Sequence, residues 1–140
     1  MNQKLPENFN WVSVRAECSP TAAFLKLRSQ VEEDVNDRIK LMPEAELPRY
    51  SFTFRSEEAW KFWVLVRVPG LDKGVLFIRS PHGIEVRDVS TDRLMYDGHL
   101  TLANDGECKL KVGESEYSFW QFRKLALEDI LFTSVAKWRL

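Results

Sequence analysis

The spacing of hydrophobic positions changes twice along the chain, and the changes divide it into elements. Trp11, Ser13 and Arg15 alternate with Val12, Val14 and Ala16, which predicts a short strand. Cys18-Ser19-Pro20 then announces a helix. A serine hydroxyl can accept from the free amides of a first turn, and proline's fixed φ and missing N–H suit the first helical position. Phe24, Leu27, Val31, Val35, Ile39 and Met42 recur at helical spacing, with Glu33, Asp37 and Lys40 opposite, so a helix is predicted over about 20–42, closed by Pro43. Asp34 and Arg38, four apart in the favourable order, add support.

Beyond the polar turn from Pro43 to Pro48 the period becomes two. Tyr50, Phe52 and Phe54 alternate with Ser51, Thr53 and Arg55, and after a break at Ser56-Glu57 a second strand runs from Ala59 to Val68. In it Trp60, Phe62, Val64, Val66 and Val68 share one face, while Lys61, Trp63, Leu65 and Arg67 share the other. Further strands are predicted at Val75 to Arg79, Ile84 to Val89 and Cys108 to Val112. Asp97-Gly98 reads as a two-residue hairpin between Leu94 to Tyr96 and His99 to Leu102, and Asn104-Asp105-Gly106 as another turn. Connections this short make the neighbours antiparallel, because a parallel pair needs a crossover of about a dozen residues. Ser118 and Gln121 have capping-box spacing and open a helix over about 118–132. Its apolar residues Phe119, Trp120, Phe122, Ala126, Leu127, Ile130 and Leu131 cover most of the circumference, and Arg123 lies inside that arc.

The predicted fold is α+β: a single antiparallel sheet of about six to seven strands with the N-terminal and C-terminal helices packed on one face, in one domain spanning 1–140. The order of strand, helix, six antiparallel strands and closing helix resembles that of helix-grip domains of the START type. That is a likeness of element order, and a fold does not determine a function.

Composition narrows the partners. The formal net charge is -1, from 20 basic and 21 acidic residues, which leaves no electrostatic footprint for nucleic acid or an anionic membrane. The first ten residues lack the apolar stretch of a secretory signal, and the longest uncharged run, Cys18 to Leu25, is far short of the ~20 residues that cross a bilayer. A cytoplasmic location is therefore expected. Cys18 and Cys108 are read as two buried, reduced thiols, in preference to a bridge or a reactive nucleophile. Aromatics are the compositional excess, with 5 Trp, 9 Phe and 3 Tyr, which implies a core or an interface built on large flat side chains.

Chemistry is sparse by comparison. Gly70 and Gly74 bracket a loop without the Gly-Lys-Ser/Thr ending of a phosphate loop. His82 with Glu85, and His99 with Asp97, offer no three convergent ligands by local spacing, so no metal and no cofactor are expected, and both histidines read as turn or surface residues. Asp88, Asp92, Asp97 and Asp105 fall in turn contexts where their carboxylates bond local backbone. No local nucleophile and base are paired, so an enzyme is not favoured.

Two expectations follow for function. The first is a non-catalytic binding module that holds a small apolar or aromatic ligand between sheet and C-terminal helix, among Trp60, Phe62, Tyr96 and Trp120. Arg123 there either reaches the rim, is held by a carboxylate, or orients an acidic group of the ligand. The alternative is a homodimer or other protein–protein contact through the outer sheet face. If Val68 stands opposite Val75, Trp63, Leu65, Leu76 and Ile78 form a patch there, rimmed by Lys61, Arg67 and Arg87. The competing explanation of that patch is a loop, or the tail with Trp138, folded over it.

Overall fold

Period-two patterning from Ser51 onward builds one sheet. In the computed structural model, which describes residues 7–42, 51–68 and 71–132, the strands are β1 (Ser51–Glu58), β2 (Lys61–Val68), β3 (Leu71–Ser80), β4 (Gly83–Asp88), β5 (Leu94–Leu102), β6 (Cys108–Val112) and β7 (Ser115–Tyr117). They lie in chain order, each antiparallel to the next. Among the described residues three helices accompany them: α1 (Trp11–Glu17), α2 (Pro20–Lys40) and α3 (Phe119–Phe132). The α+β fold and the single open antiparallel sheet are as expected.

The core lies between one sheet face and the two longer helices. Phe52, Phe62, Val64, Val66, Val75, Phe77, Ile84, Val86 and Leu110 are buried on the strands, against Phe24, Leu27, Val31 and Val35 of α2 and Phe122, Ala126, Leu127 and Ile130 of α3. At its centre the Phe62 ring stacks on Phe77 at 4.7 Å and tilts against Phe24 at 5.2 Å and Phe54 at 5.4 Å. Burying each such side chain stabilises the fold by roughly 1.5–3 kcal/mol.

Local capping agrees with the residues that suggest it. Ser19 Oγ accepts from the Ala22 amide at 3.4 Å, with Pro20 at the first helical position. At α3 the box is reciprocal: the Ser118 amide donates to Gln121 Oε1 at 2.9 Å, and the Gln121 amide donates to Ser118 Oγ at 3.4 Å. Pro43 and the turn to Pro48 lie outside the described residues. Even so, α2 ends at Lys40, where the Leu41 amide bonds back to the Asp37 carbonyl at 3.0 Å.

Several expectations are corrected. Trp11 to Ala16 is helical, because Asn10 Oδ1 accepts from the Ser13 amide at 3.1 Å and caps a turn. Helix α1 buries none of its residues, so its alternation reports no core face. Asp97-Gly98 is no hairpin; it sits mid-strand in β5, with Gly98 opposite Ile84. A Cβ on Gly98 would stand 3.1 Å from both Leu110 Cδ2 and Phe122 Cε1, so the glycine is there to let the core close. The hairpin that does form is at Asn104 to Gly106, where Asp105 Oδ1 accepts from the Glu107 amide at 3.0 Å. Strand β1 continues through Ser56-Glu57, and Ala59 and Trp60 form the turn before β2.

The β2–β3 register also differs, with Val75 opposite Val64 and Val68 opposite Leu71. The slip is even, from partner 68 to partner 64, so every side chain keeps its face.

The cysteines are the largest correction. Cys18, in the turn between α1 and α2, is disulfide-bonded to Cys108 at the start of β6, with Cα atoms 5.5 Å apart and a sequence separation of 90. Distance along the chain is uninformative here, because the fold brings the start of β6 to the α1–α2 corner. Such bonds persist in oxidising compartments and are rare in the reducing cytosol, so the expected cytoplasmic location gains nothing from this one. Among the described residues no helix is long and apolar enough to cross a membrane.

Candidate functional site

With α2 and α3 on one face of the sheet, the side chains pointing the other way form a second surface. Strand register arranges it in rows. One row crosses β1 to β4 as Arg55, Trp63, Leu76 and Arg87. The next runs Glu58, Lys61, Ile78, Glu85 and Asp97 into β5. Leu65 follows Trp63 on β2, opposite Thr53. Trp63, Leu65, Leu76 and Ile78 are therefore contiguous and half-buried, and the described helices pack on the other face.

Charges frame this strip rather than cross it. The Arg55 guanidinium lies 4.6 Å from the Trp63 ring centroid, and Lys61 Nζ lies 5.1 Å from it and 4.7 Å from that of Trp60. Their aliphatic stems cover part of the indole while their charged ends stay in water. Arg87 pairs with Glu85 at 3.1 Å, Arg55 with Glu57 at 3.5 Å, and Lys61 with Glu58 at 3.8 Å. Trp138, the alternative cover, lies outside the described residues.

A chemical cluster stands at the β5 end of the same face. His82, in the β3–β4 turn, places Nε2 3.3 Å from Asp97 Oδ1, and His99 places Nε2 3.3 Å from Asp97 Oδ2. The two imidazoles stack with centroids 3.9 Å apart. Close backbone approach makes this possible: a Cβ on Gly83 would lie 1.9 Å from the Gly98 carbonyl oxygen, and the Leu100 amide donates to the His82 carbonyl at 2.9 Å. Asp97 escapes the turn expectation because it lies within β5. Asp88 accepts from the Ser90 and Thr91 amides, as a turn aspartate should. Sequence-local spacing missed the cluster because its members come from two different elements, His82 from the β3–β4 turn and Asp97 with His99 from strand β5. The available signal was the glycine beside each histidine, Gly83 and Gly98.

The five residues expected around a ligand do not converge between sheet and helix. Phe62 is fully buried in the core, Trp60 is 40% exposed in the β1–β2 turn, and Tyr96 packs against the core from β5. Trp120, 58% exposed, and Arg123 do share a groove of about 370 Å³, but it lies between α2 and α3. Arg123 is held by a carboxylate: its Nε donates to Asp34 Oδ2 at 2.7 Å and its Nη1 to Gln30 Oε1 at 3.0 Å. At this partial exposure the ion pair ties α3 to α2 with about 1 kcal/mol. Arg38 adds a second tie, donating from Nε to the Leu131 carbonyl at 2.7 Å. On the β5–β6 hairpin, the exposed Asp105 carboxyl is held below its ordinary range by a hydrogen bond from Lys109 at 2.9 Å, a pair that fastens the hairpin.

The chain matches no family model, no curated protein and no solved structure. Fold and surface alone define its class, an α+β meander with two helices over one face and a mixed aromatic and histidine-bearing face opposite.

Proposed function

We propose that this chain is a non-catalytic binding module that works as a homodimer through the helix-free face of its sheet, centred on Trp63. The observation that carries the reading is the contiguous strip of Trp63, Leu65, Leu76 and Ile78 on the face opposite the helices. Charges of both signs flank it, Arg55, Lys61 and Arg87 beside Glu58 and Glu85. Such a surface suits a neutral counterpart like itself better than a polyanion, and two-fold dimers are the commonest soluble assemblies. Tryptophan with flanking arginine is also the composition that anchors interfaces.

Trp63→Glu tests the reading. A glutamate at this position has Arg55 and Lys61 beside it as partners, so the fold should hold and the circular dichroism should not change. Sedimentation velocity should show a dimer for the native chain and a dimer weakened on the order of 30-fold for the variant, the effect of losing a central anchor. A native chain that sediments as a monomer throughout, or a variant with undiminished association, contradicts it.

A second reading has one observation in its favour. Trp120 and Arg123, both expected at a ligand, do line the α2–α3 groove. A small apolar ligand there would rest on Trp120 and Leu127 and leave the Arg123 and Asp34 pair intact.

A further inference from the structure

The chain contains 2 histidines in 140 residues, and the fold brings both onto one carboxylate. They come from different places, His82 from the β3–β4 turn and His99 from within β5, beside Asp97 on the same strand face. The ligand atoms of His82, Asp97 and His99 all lie within 4.8 Å of one another, with His82 Nε2 3.3 Å from Asp97 Oδ1 and His99 Nε2 3.3 Å from Asp97 Oδ2. Around a tetrahedral zinc with bonds of about 2.0–2.1 Å, adjacent ligand atoms stand about 3.3 Å apart. Each imidazole nitrogen already stands at that spacing from one oxygen of the shared carboxylate, so an ion held by both nitrogens needs Asp97 to turn one oxygen toward them or to bind through both.

We infer that His82, Asp97 and His99 form a binding site for a first-row divalent transition metal, of the zinc type. Two imidazole nitrogens with one carboxylate favour zinc, nickel, cobalt or copper over magnesium or calcium, which prefer all-oxygen sites. The proton balance is simple. Each neutral imidazole that donates Nε2–H to Asp97 moves its hydrogen to Nδ1 and offers the Nε2 lone pair, and the carboxylate reduces the ion's charge of +2 to +1.

The surroundings bear on the site in both directions. Glu85, opposite Asp97, is committed to Arg87, and Lys111, opposite His99, sets a cation in the neighbouring position. These limit the protein ligands to three and leave the remaining positions to water or to a donor from a docked molecule. Ser80 belongs to the same row by register, opposite Gly83, and its buried Oγ has no hydrogen-bond partner among the described residues.

The site stands apart from docking through Trp63, since Trp63→Glu leaves all three ligands in place and should bind the metal as the native chain does. The test is titration of the untagged full chain with zinc chloride, followed by calorimetry and by the Cε1–H resonances of its histidines. The expected result is one zinc per chain, with both histidine signals shifting together, and affinity reduced at least about tenfold in His82→Ala and in Asp97→Asn. Each variant is checked by its urea midpoint, and the exposure of these side chains predicts little change there. Absence of heat and of shifts at millimolar zinc overturns the inference. So does binding that survives in the His82→Ala, His99→Ala double variant.

Discussion

Replacing Cys18 and Cys108 together by serine is expected to lower the free energy of unfolding by about 4–5 kcal/mol. The bond closes a loop of 90 residues that contains all of α2 and β1 to β5, so its removal frees most of the unfolded chain. Since domains of this size are stable by about 5–15 kcal/mol, the loss would take a large share of the total. It would also release the α1–α2 corner from β6, at the far side of the sheet from β1. Urea unfolding of native and double-serine proteins at 25 °C measures the difference. Reductant should lower the native protein to the level of the variant and leave the variant unaffected. A difference under about 1 kcal/mol would mean that the bond constrains little.

Phe62→Ala should be nearly as damaging, at about 3–5 kcal/mol. Its ring is fully buried and meets Phe24 of α2, Phe54 of β1 and Phe77 of β3, so truncation empties the point where sheet and helix come together. Three aromatic neighbours held by strands and a helix have little freedom to collapse inward, which keeps the cavity open. Trp63→Ala, one residue away on the other face, provides the contrast: its ring is only half-buried, and its loss should cost less than half as much in the same urea experiment. Equal losses at the two positions would contradict the assignment of inner and outer faces.

That assignment was legible from β2 alone, because the side-chain period of a strand is two and the even positions Phe62, Val64 and Val66 are uniformly apolar. It survived a four-residue error in register, since an even slip preserves faces. The starts of α2 and α3 were legible for a similar reason, as Ser19, Pro20, Ser118 and Gln121 act on amides within three residues of themselves. What local patterning could not show depends on distant chain. Gly98 reads as half of a tight turn until Leu110 and Phe122 are seen packing onto it. Cys18 and Cys108 read as separate thiols until the fold brings the start of β6 to the α1–α2 corner. His82 and His99 read as two surface histidines until Gly83 lets β4 approach β5 closely enough for them to share Asp97. Helix α1 failed differently: with no residue buried, its pattern has no partner surface to reflect.

The central claim is that this chain binds through the sheet face its helices leave free. Oxidative footprinting of tryptophan, read by mass spectrometry from low to high protein concentration, tests it most directly, because Trp63 lies on that face, Trp120 on the α2–α3 groove, and Trp11 on α1. Trp63 should lose reactivity several-fold as concentration rises, while Trp11 and Trp120 keep theirs. Unchanged labelling of Trp63, or protection that falls on Trp120 instead, would contradict the claim.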